Sequence, residues 1–505
     1  MKYHESRQEP WKLFGVTQQK WSSPLWQLRN SIKDVDGLSR IISLTENQKN
    51  GIGEAIKRGK PMRIPPYYAA LMGENPTNVD SQGNSIGDTV NAIFLQSVPT
   101  PAHFLFPAGA KDPMSEGSRS IGAVYQRYPD RVALMSSSSA ICAMFCTHCQ
   151  RGRDMDGPIE NNNLDIGLEY ILQNENIREV LVTGGDALAI SPEKLNKILS
   201  AISKAGHVES VRIASRLFVT NPYAITNEKL DIIASHSRLA KLSNPNIYVV
   251  THANAPEELT YDMQDAVRRT KVHGLNIRNQ TVLLKGINDT YERMSHLLRN
   301  LAYMGVDPYY VFICHKNDGL AASIVPINVG QYLIADQRGQ QGISIPKLAV
   351  NMVGGGGKVD LTPQGDKGIP EFDYVISRPM RTWDNDERDY EELMRVNNSS
   401  YETGLRVMAE FYGDLNISRF GVEHIGMDLR TRETPSGKFH PSFIVVEDQN
   451  PSRVLYVTNV VAPTLKTLDN KCIVWGMTPN GARFGVPDQY ISNPADVVLP
   501  TEKRA

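Results

Sequence analysis

Cys142, Cys146 and Cys149 stand in Ile-Cys-Ala-Met-Phe-Cys-Thr-His-Cys, a C-x3-C-x2-C spacing. Three thiolates this close can hold three irons of a [4Fe–4S] cluster and leave the fourth iron open to a ligand that is not protein. An open iron lets a cluster do chemistry as well as carry electrons. Zinc is the alternative metal; it normally wants a fourth protein ligand, and His148 lies inside the run. The plainest alternative is three unrelated buried thiols. Against it, three of the chain's five cysteines fall within eight positions.

Two further segments carry chemistry. In Thr183-Gly184-Gly185-Asp186 the glycines let backbone approach a ligand closely, and the aspartate can accept bonds from an ammonium group. Most Gly-Gly-Asp turns are merely turns. Gly354-Gly355-Gly356-Gly357-Lys358 can wrap against a flat or phosphorylated ligand and deliver an amine to it. A partly desolvated lysine has a lowered pKa and can form a Schiff base with an aldehyde such as pyridoxal phosphate (PLP). In isolation the same run reads as a flexible linker with a solvated lysine.

The elements around these segments follow a rhythm. Residues 1 to about 118 read as helical and loop-rich, with helical spacing at 38–42 and 53–57 and breaks at Pro65-Pro66-Tyr67, Pro99 and Pro101. From about 130, short apolar β-branched runs recur at 132–135, 180–183, 211–214, 247–251, 280–284 and 309–313. Amphipathic helices fit the intervals, for example 192–205 and 256–273. Such runs read as buried parallel strands, continuous rather than alternating in apolar character. Six units in series predict an α/β fold with a partial (β/α)6 barrel. Chemistry in such barrels gathers at the C-terminal ends of strands, where the cysteine loop and the Gly-Gly-Asp turn both fall. A further run at 348–353 leads into the tetraglycine. The expected organisation is a helical region over 1–118, the barrel over 119–360, and a mixed α/β region over 361–505 with strand-like 442–446 and 454–461.

Bulk properties narrow the class. A formal net charge of −1 over 505 residues, with no long single-sign run, points away from nucleic acid and anionic membranes. The first ten residues hold no apolar signal region, and no stretch of 18 apolar residues occurs. Cys314 and Cys472 are the remaining cysteines, so a disulfide framework is excluded. The expectation is a soluble, cytoplasmic protein, where a reducing medium would also suit an oxygen-sensitive cluster.

The cysteine spacing resembles that of the radical S-adenosylmethionine (SAM) enzymes. The chain more narrowly resembles the PLP-dependent lysine 2,3-aminomutase family. Ordered segments from about 125 to 358 carry the likeness: Tyr128-Pro-Asp-Arg131, Cys146-Thr-His-Cys-Gln-Arg151, Leu181-Val-Thr-Gly-Gly-Asp186, Thr251-His-Ala-Asn254, Asn279 to Asp289, Pro308-Tyr-Tyr310 and Gly354 to Lys358. The resemblance implies that Cys142, Cys146 and Cys149 hold the cluster. Gly184, Gly185 and Asp186 would bind the methionyl amino group of SAM, with Gln280 and His252 lining the SAM or PLP pocket. Lys358 would hold PLP as a Schiff base, Arg127 and Arg131 its phosphate, and Arg151 the substrate α-carboxylate. It further implies a free amino acid substrate, an electron donor of flavodoxin or ferredoxin type, and a homo-oligomer.

Departures from the family pattern bear on the substrate. Lysine-specific members carry one aspartate directly after the Pro-Tyr-Tyr strand and another seven residues before the PLP lysine. Here His315, followed by Lys316, and Asn351 take those places. An ε-ammonium would meet no countercharge there, and an unpaired buried charge costs several kcal/mol. Glutamate 2,3-aminomutases resemble this pattern, so a glutamate-like side chain is expected. Lysine is the alternative, as is a radical SAM enzyme that no longer moves amino groups, or a metal-stabilised binding protein. Thr290 stands where some lysine enzymes have a zinc-binding cysteine, and 322–326 replaces the family's His-Phe-Arg-Thr-Pro.

Overall fold

The structure is a computed structural model. It describes residues 9–73, 91–100, 103, 116–117, 120–137, 142–149, 163–315, 320, 323–325, 327–337, 345–352 and 357–362, and four short strands between 444 and 487. Arg151, Lys316, Gly354, Gly355, Gly356 and Cys472 lie outside the described residues, as do segments 99–101 and 322–326 in part.

The centre is a ten-stranded mixed sheet whose strands follow one another in chain order. β1 (Ser120–Ile121), β2 (Val124–Tyr128) and β3 (Arg131–Met135) pair antiparallel. From β3 onward each strand pairs parallel with the next: β4 (Glu179–Thr183), β5 (Ser210–Ala214), β6 (Asn246–Thr251), β7 (Asn276–Leu283), β8 (Asp307–Ile313) and β9 (Lys347–Met352). β10 (Gly357–Asp360) turns back antiparallel on β9. The six apolar runs are therefore six strands. The 348–353 run supplies a seventh in the same parallel series.

Helices occupy every crossover, and their ends are readable residue by residue. Ser191 accepts the amide of Lys194 at the start of the helix Pro192–Lys204, with proline in the first turn. Thr226 and Thr260 cap Asn227–Ser235 and Tyr261–Val272 in the same way. Thr290, expected only as a lost cysteine, caps Tyr291–Met304 through the amide of Arg293. Gly305 ends that helix with φ +82°, a conformation glycine adopts without strain. The predicted helix over 256–273 divides: Pro256–Glu258 forms a 3-10 turn before Thr260 opens the true helix.

Burial alternates along β4, β5 and β7, whereas β6 and β8 end in three consecutive buried residues, as a continuous run predicts. Val180, Val182, Val211, Ile213 and Ile277 are buried with Leu195, Ile198, Leu199 and Ile202 of the helical layer. Each such side chain contributes about 1.5–3 kcal/mol. The alternate positions are only half-buried and carry Glu179, Arg212, Tyr248, Arg278, Gln280 and Tyr310. Period-two alternation puts one face against the helices and leaves the other chemically varied.

The described residues ahead of the sheet form short helices between Pro10 and Ser97. Pro65-Pro66 does more than break a helix, because Pro66 opens Pro66–Ala70. Tyr67 and Tyr68 of that helix are buried, and reach Thr260 Oγ1 and Glu258 Oε1, both at 2.6 Å. The N-terminal helices thus dock against the connection from β6 to β7. In the C-terminal region the described strands form two hairpins, Ile444–Glu447 with Val454–Val457 and Ile473–Met477 with Arg483–Pro487. Among the described residues no helix is long and apolar enough to cross a membrane.

Candidate functional site

The cysteine loop leaves the C-terminal end of β3 and is held by residues far away in sequence. Arg63 Nη1 donates to the carbonyl of Cys142 at 3.2 Å, and the amide of Phe145 donates to the carbonyl of Arg63 at 3.0 Å. Thr147 donates through its amide to Gln96 O and through its hydroxyl to Leu95 O. All three cysteines are half-buried. Burial pushes the Cys142 thiol pKa well up, and negative groups at Asp186, Cys146 and Cys149 add to it. A cation, as a metal cluster provides, would reverse that penalty.

The turn after β4 lies against this loop. Cys142 Sγ donates to the carbonyl of Gly185 at 2.8 Å. Gly184 has φ +124°, and a Cβ there would come within 2.7 Å of Ser137 O and 2.9 Å of Ser137 N. Only glycine lets the β4 turn close on the β3 exit. Asp186 is buried and its carboxylate is held by protein: Oδ1 accepts from the amide of Leu188 (3.0 Å), Oδ2 from the amide of Arg216 (2.8 Å). Its carboxylate braces the turn, which leaves backbone groups facing the cysteines.

Beyond the turn, Asn254 Nδ2 lies 3.0 Å from His252 Nε2, 3.2 Å from His148 Nε2 and 2.9 Å from Gln96 Oε1. Burial, with the nearby Arg216 cation, lowers the His252 pKa to about 3, so its ring is neutral. His148 therefore faces an amide network. Among the described residues no three His, Cys, Asp or Glu side chains gather as ligands for a single metal ion.

Lys358 sits elsewhere on the same sheet. Its register partner on β9 is Asn351. Its amide donates to Tyr128 Oη at 2.9 Å, and Arg127 Nη1 donates to Asn351 Oδ1 at 3.2 Å. These bonds join β2 to β9 and β10, strands at opposite ends of the sheet order. The Lys358 amine lies 4.8 Å from the ring centre of Tyr310 and 5.1 Å from that of Phe312. Burial lowers its pKa to about 7, with Arg212 and Arg127 the largest cationic contributions. Arg131 pairs with Asp130 at 3.0 Å and stacks on Tyr128. Gln280, half-buried, pairs in register with Tyr310, and His315 is buried beyond the end of β8.

The curated relatives of this chain agree on one family. Glutamate 2,3-aminomutase of Clostridioides difficile is 34% identical over 390 residues, covering 75% of this chain and 85% of that protein. L-lysine 2,3-aminomutase of Methanococcus maripaludis is 33% identical over 435 residues, covering 82% and 92%. The L-lysine enzyme of Clostridium subterminale is 32% identical over 369 residues, covering 72% and 81%. The chain belongs to the lysine 2,3-aminomutase family. Membership makes this aminomutase an isomerase of the radical SAM class, drawing on SAM and an iron–sulfur cluster. No family model matches the chain. Among solved structures, Streptococcus suis SuiB bound to precursor peptide SuiA aligns with 45% of this chain and 49% of its own at 13% identity and a TM-score of 0.32.

Several residues around Lys358 and the cysteine loop were not evident from sequence. Arg212 is ion-paired with Glu179 and lies close enough to lower the Lys358 pKa. Arg278 stacks between Tyr248 and Tyr309, at 4.2 and 4.8 Å. Both arginines interrupt apolar runs, in Ser-Val-Arg-Ile-Ala and Asn-Ile-Arg-Asn-Gln, and that interruption was the available signal. Arg63 and Gln96 carried none, because their partners are remote in the chain.

Proposed function

We propose that the chain is a PLP-dependent 2,3-aminomutase acting on a free α-amino acid, with glutamate or a similarly acceptor-bearing side chain as substrate. The sheet is read as a partial (β/α)6 barrel extended by β9 and β10. Hydrogen bonds from β2 to β9 and β10 support that curvature.

Cys142, Cys146 and Cys149 fit a cluster, the glycine carbonyl beside Cys142 fits a ligand on its open iron, and Lys358 fits an aldehyde cofactor. Bound there, the cluster and SAM would supply a hydrogen-abstracting radical, and PLP the aldehyde carbon that carries the migrating nitrogen. The protein positions and shields that chemistry. Gly184 and Gly185 present backbone to SAM while Asp186 holds the turn, and His252 stays neutral beside it. Arg127 and Arg131 are assigned to the PLP phosphate, Arg151 to the α-carboxylate, and Gln280 to the lining of the pocket.

Lys358 carries the reading: an amine with a pKa near 7, beside the stacked rings of Tyr310 and Phe312, with arginines close by. Below that pKa the amine is protonated and cannot attack a carbonyl; above it the free base dominates. Covalent capture of PLP by the apoenzyme should rise through about pH 7 and level off above it. An ordinary lysine would keep gaining towards pH ~10.4. Stopped-flow absorbance across pH 6 to 10 reads this directly, and a midpoint above about 9 would remove the assignment. Arg212→Met removes a cation, so it should move the midpoint upward.

Substrate polarity rests on His315, Lys316 and Asn351. Arg127 beside Asn351 strengthens the argument, since an ε-ammonium there would meet a guanidinium. His315→Asp with Asn351→Asp should shift preference toward lysine. One charge-assisted contact contributes roughly 1.5–3 kcal/mol, or about ten- to hundredfold in kcat/KM. Faster turnover of lysine than glutamate by the wild-type enzyme would overturn the inference from charge.

A further inference from the structure

Arg216 follows β5 and is nearly buried, with a side-chain exposure of 10%. Every guanidinium nitrogen donates. Nε reaches His252 O at 3.2 Å, Nη1 reaches Cys146 Sγ at 2.7 Å, and Nη2 reaches Gln96 Oε1 at 2.6 Å, Glu258 Oε1 at 2.7 Å and Tyr68 Oη at 3.4 Å. Its amide donates to Asp186, so one residue connects the turn after β4 with the middle cysteine. Glu258, fully buried, is fixed in turn: Oε2 accepts the amides of Asn254 and Ala255, and Oε1 accepts Tyr68 Oη.

A buried arginine needs one countercharge, and Glu258 provides it. The contact with Cys146 is additional. The rigid fork of the guanidinium permits both at once, which the single ammonium of lysine cannot match. We propose that Arg216 is a positioning residue for the iron–sulfur cluster, holding the Cys146 thiolate and raising the cluster's reduction potential. This rests on the reading of the three cysteines as cluster ligands. Reduction adds one electron to a cluster whose sulfurs carry negative charge. A fixed cation with an N–H aimed at a ligand sulfur favours the more negative state. Each of its three nitrogens is held by protein, which fixes the guanidinium plane against Cys146.

The test is a redox titration of anaerobically reconstituted full-length enzyme, following the reduced cluster by electron paramagnetic resonance in wild type, Arg216→Lys and Arg216→Gln. Wild type without a cluster would defeat the cysteine reading itself, before Arg216 is at issue. With the cluster present, Arg216→Gln should bind the same iron but show about a tenfold lower ratio of reduced to oxidised cluster at a fixed potential. For a one-electron couple that is about 59 mV. Arg216→Lys should shift in the same direction by less, and keeps the charge that Glu258 needs if the glutamine variant does not fold. An unchanged midpoint in a cluster-bearing variant would overturn the proposal. So would loss of the cluster from the lysine variant, since that marks a purely structural residue.

Discussion

Alanine at any one of Cys142, Cys146 or Cys149 should abolish SAM cleavage and strip iron from the protein. Each thiolate is assigned to a different iron, so one loss leaves two irons without protein ligands. Removing a partner outside the ligand shell already costs about 10–100-fold in metal affinity or activity. Loss of a ligand itself should exceed that. Iron analysis and 5′-deoxyadenosine formation are independent readouts, and full activity in any of the three variants would end the radical SAM assignment for this loop. Cys314 serves as a control: it is buried in the hydrophobic core, and burial raises its pKa to about 12. Cys314→Ser should keep the cluster.

Lys358→Ala should lose the absorbance of lysine-bound PLP and reduce turnover by at least about a thousandfold, the scale expected when a covalent catalyst loses its nucleophile. The cluster should survive, because the cysteine loop follows β3 while Lys358 stands on β10, at the far end of the sheet order. Slow uncoupled cleavage of SAM should therefore persist. Borohydride reduction of the wild-type enzyme followed by peptide mapping locates the modified lysine. Label on Lys285, which is also buried with a strongly lowered pKa, would refute the assignment.

Strand positions were legible because β-branched runs at 180–183, 211–214 and 247–251 meet Gly, Ser or Thr at their ends, and period and spacing gave the parallel series. The two-sided nature of those strands was not. A single arginine in a run of valine and isoleucine reads as a tolerated exception, yet Arg212 and Arg278 mark the face that carries Tyr310 and Gln280. Cysteine spacing singled out the 142–149 loop as the proposed cluster site, since residues close in sequence stay close in space. The scaffold that holds it stayed hidden, because Arg63, Gln96 and Arg216 reach it from elements about 50 to 80 residues away, and pairing at that distance leaves no local pattern. Asn351 was read as a substrate position from the family resemblance, as the place where lysine-specific members carry an aspartate. Its bond to Arg127, from the far end of the sheet order, follows only from the fold.

Anaerobic turnover of L-glutamate labelled with 15N at the amino group and 13C at C2 and C3 tests the central claim most directly. With reconstituted cluster, reductant, SAM and PLP, nuclear magnetic resonance should show the 15N coupling pass from C2 to C3, and mass spectrometry should show an unchanged product mass. Steady consumption of SAM with 15N remaining on C2, for glutamate and for every other amino acid offered, would contradict it.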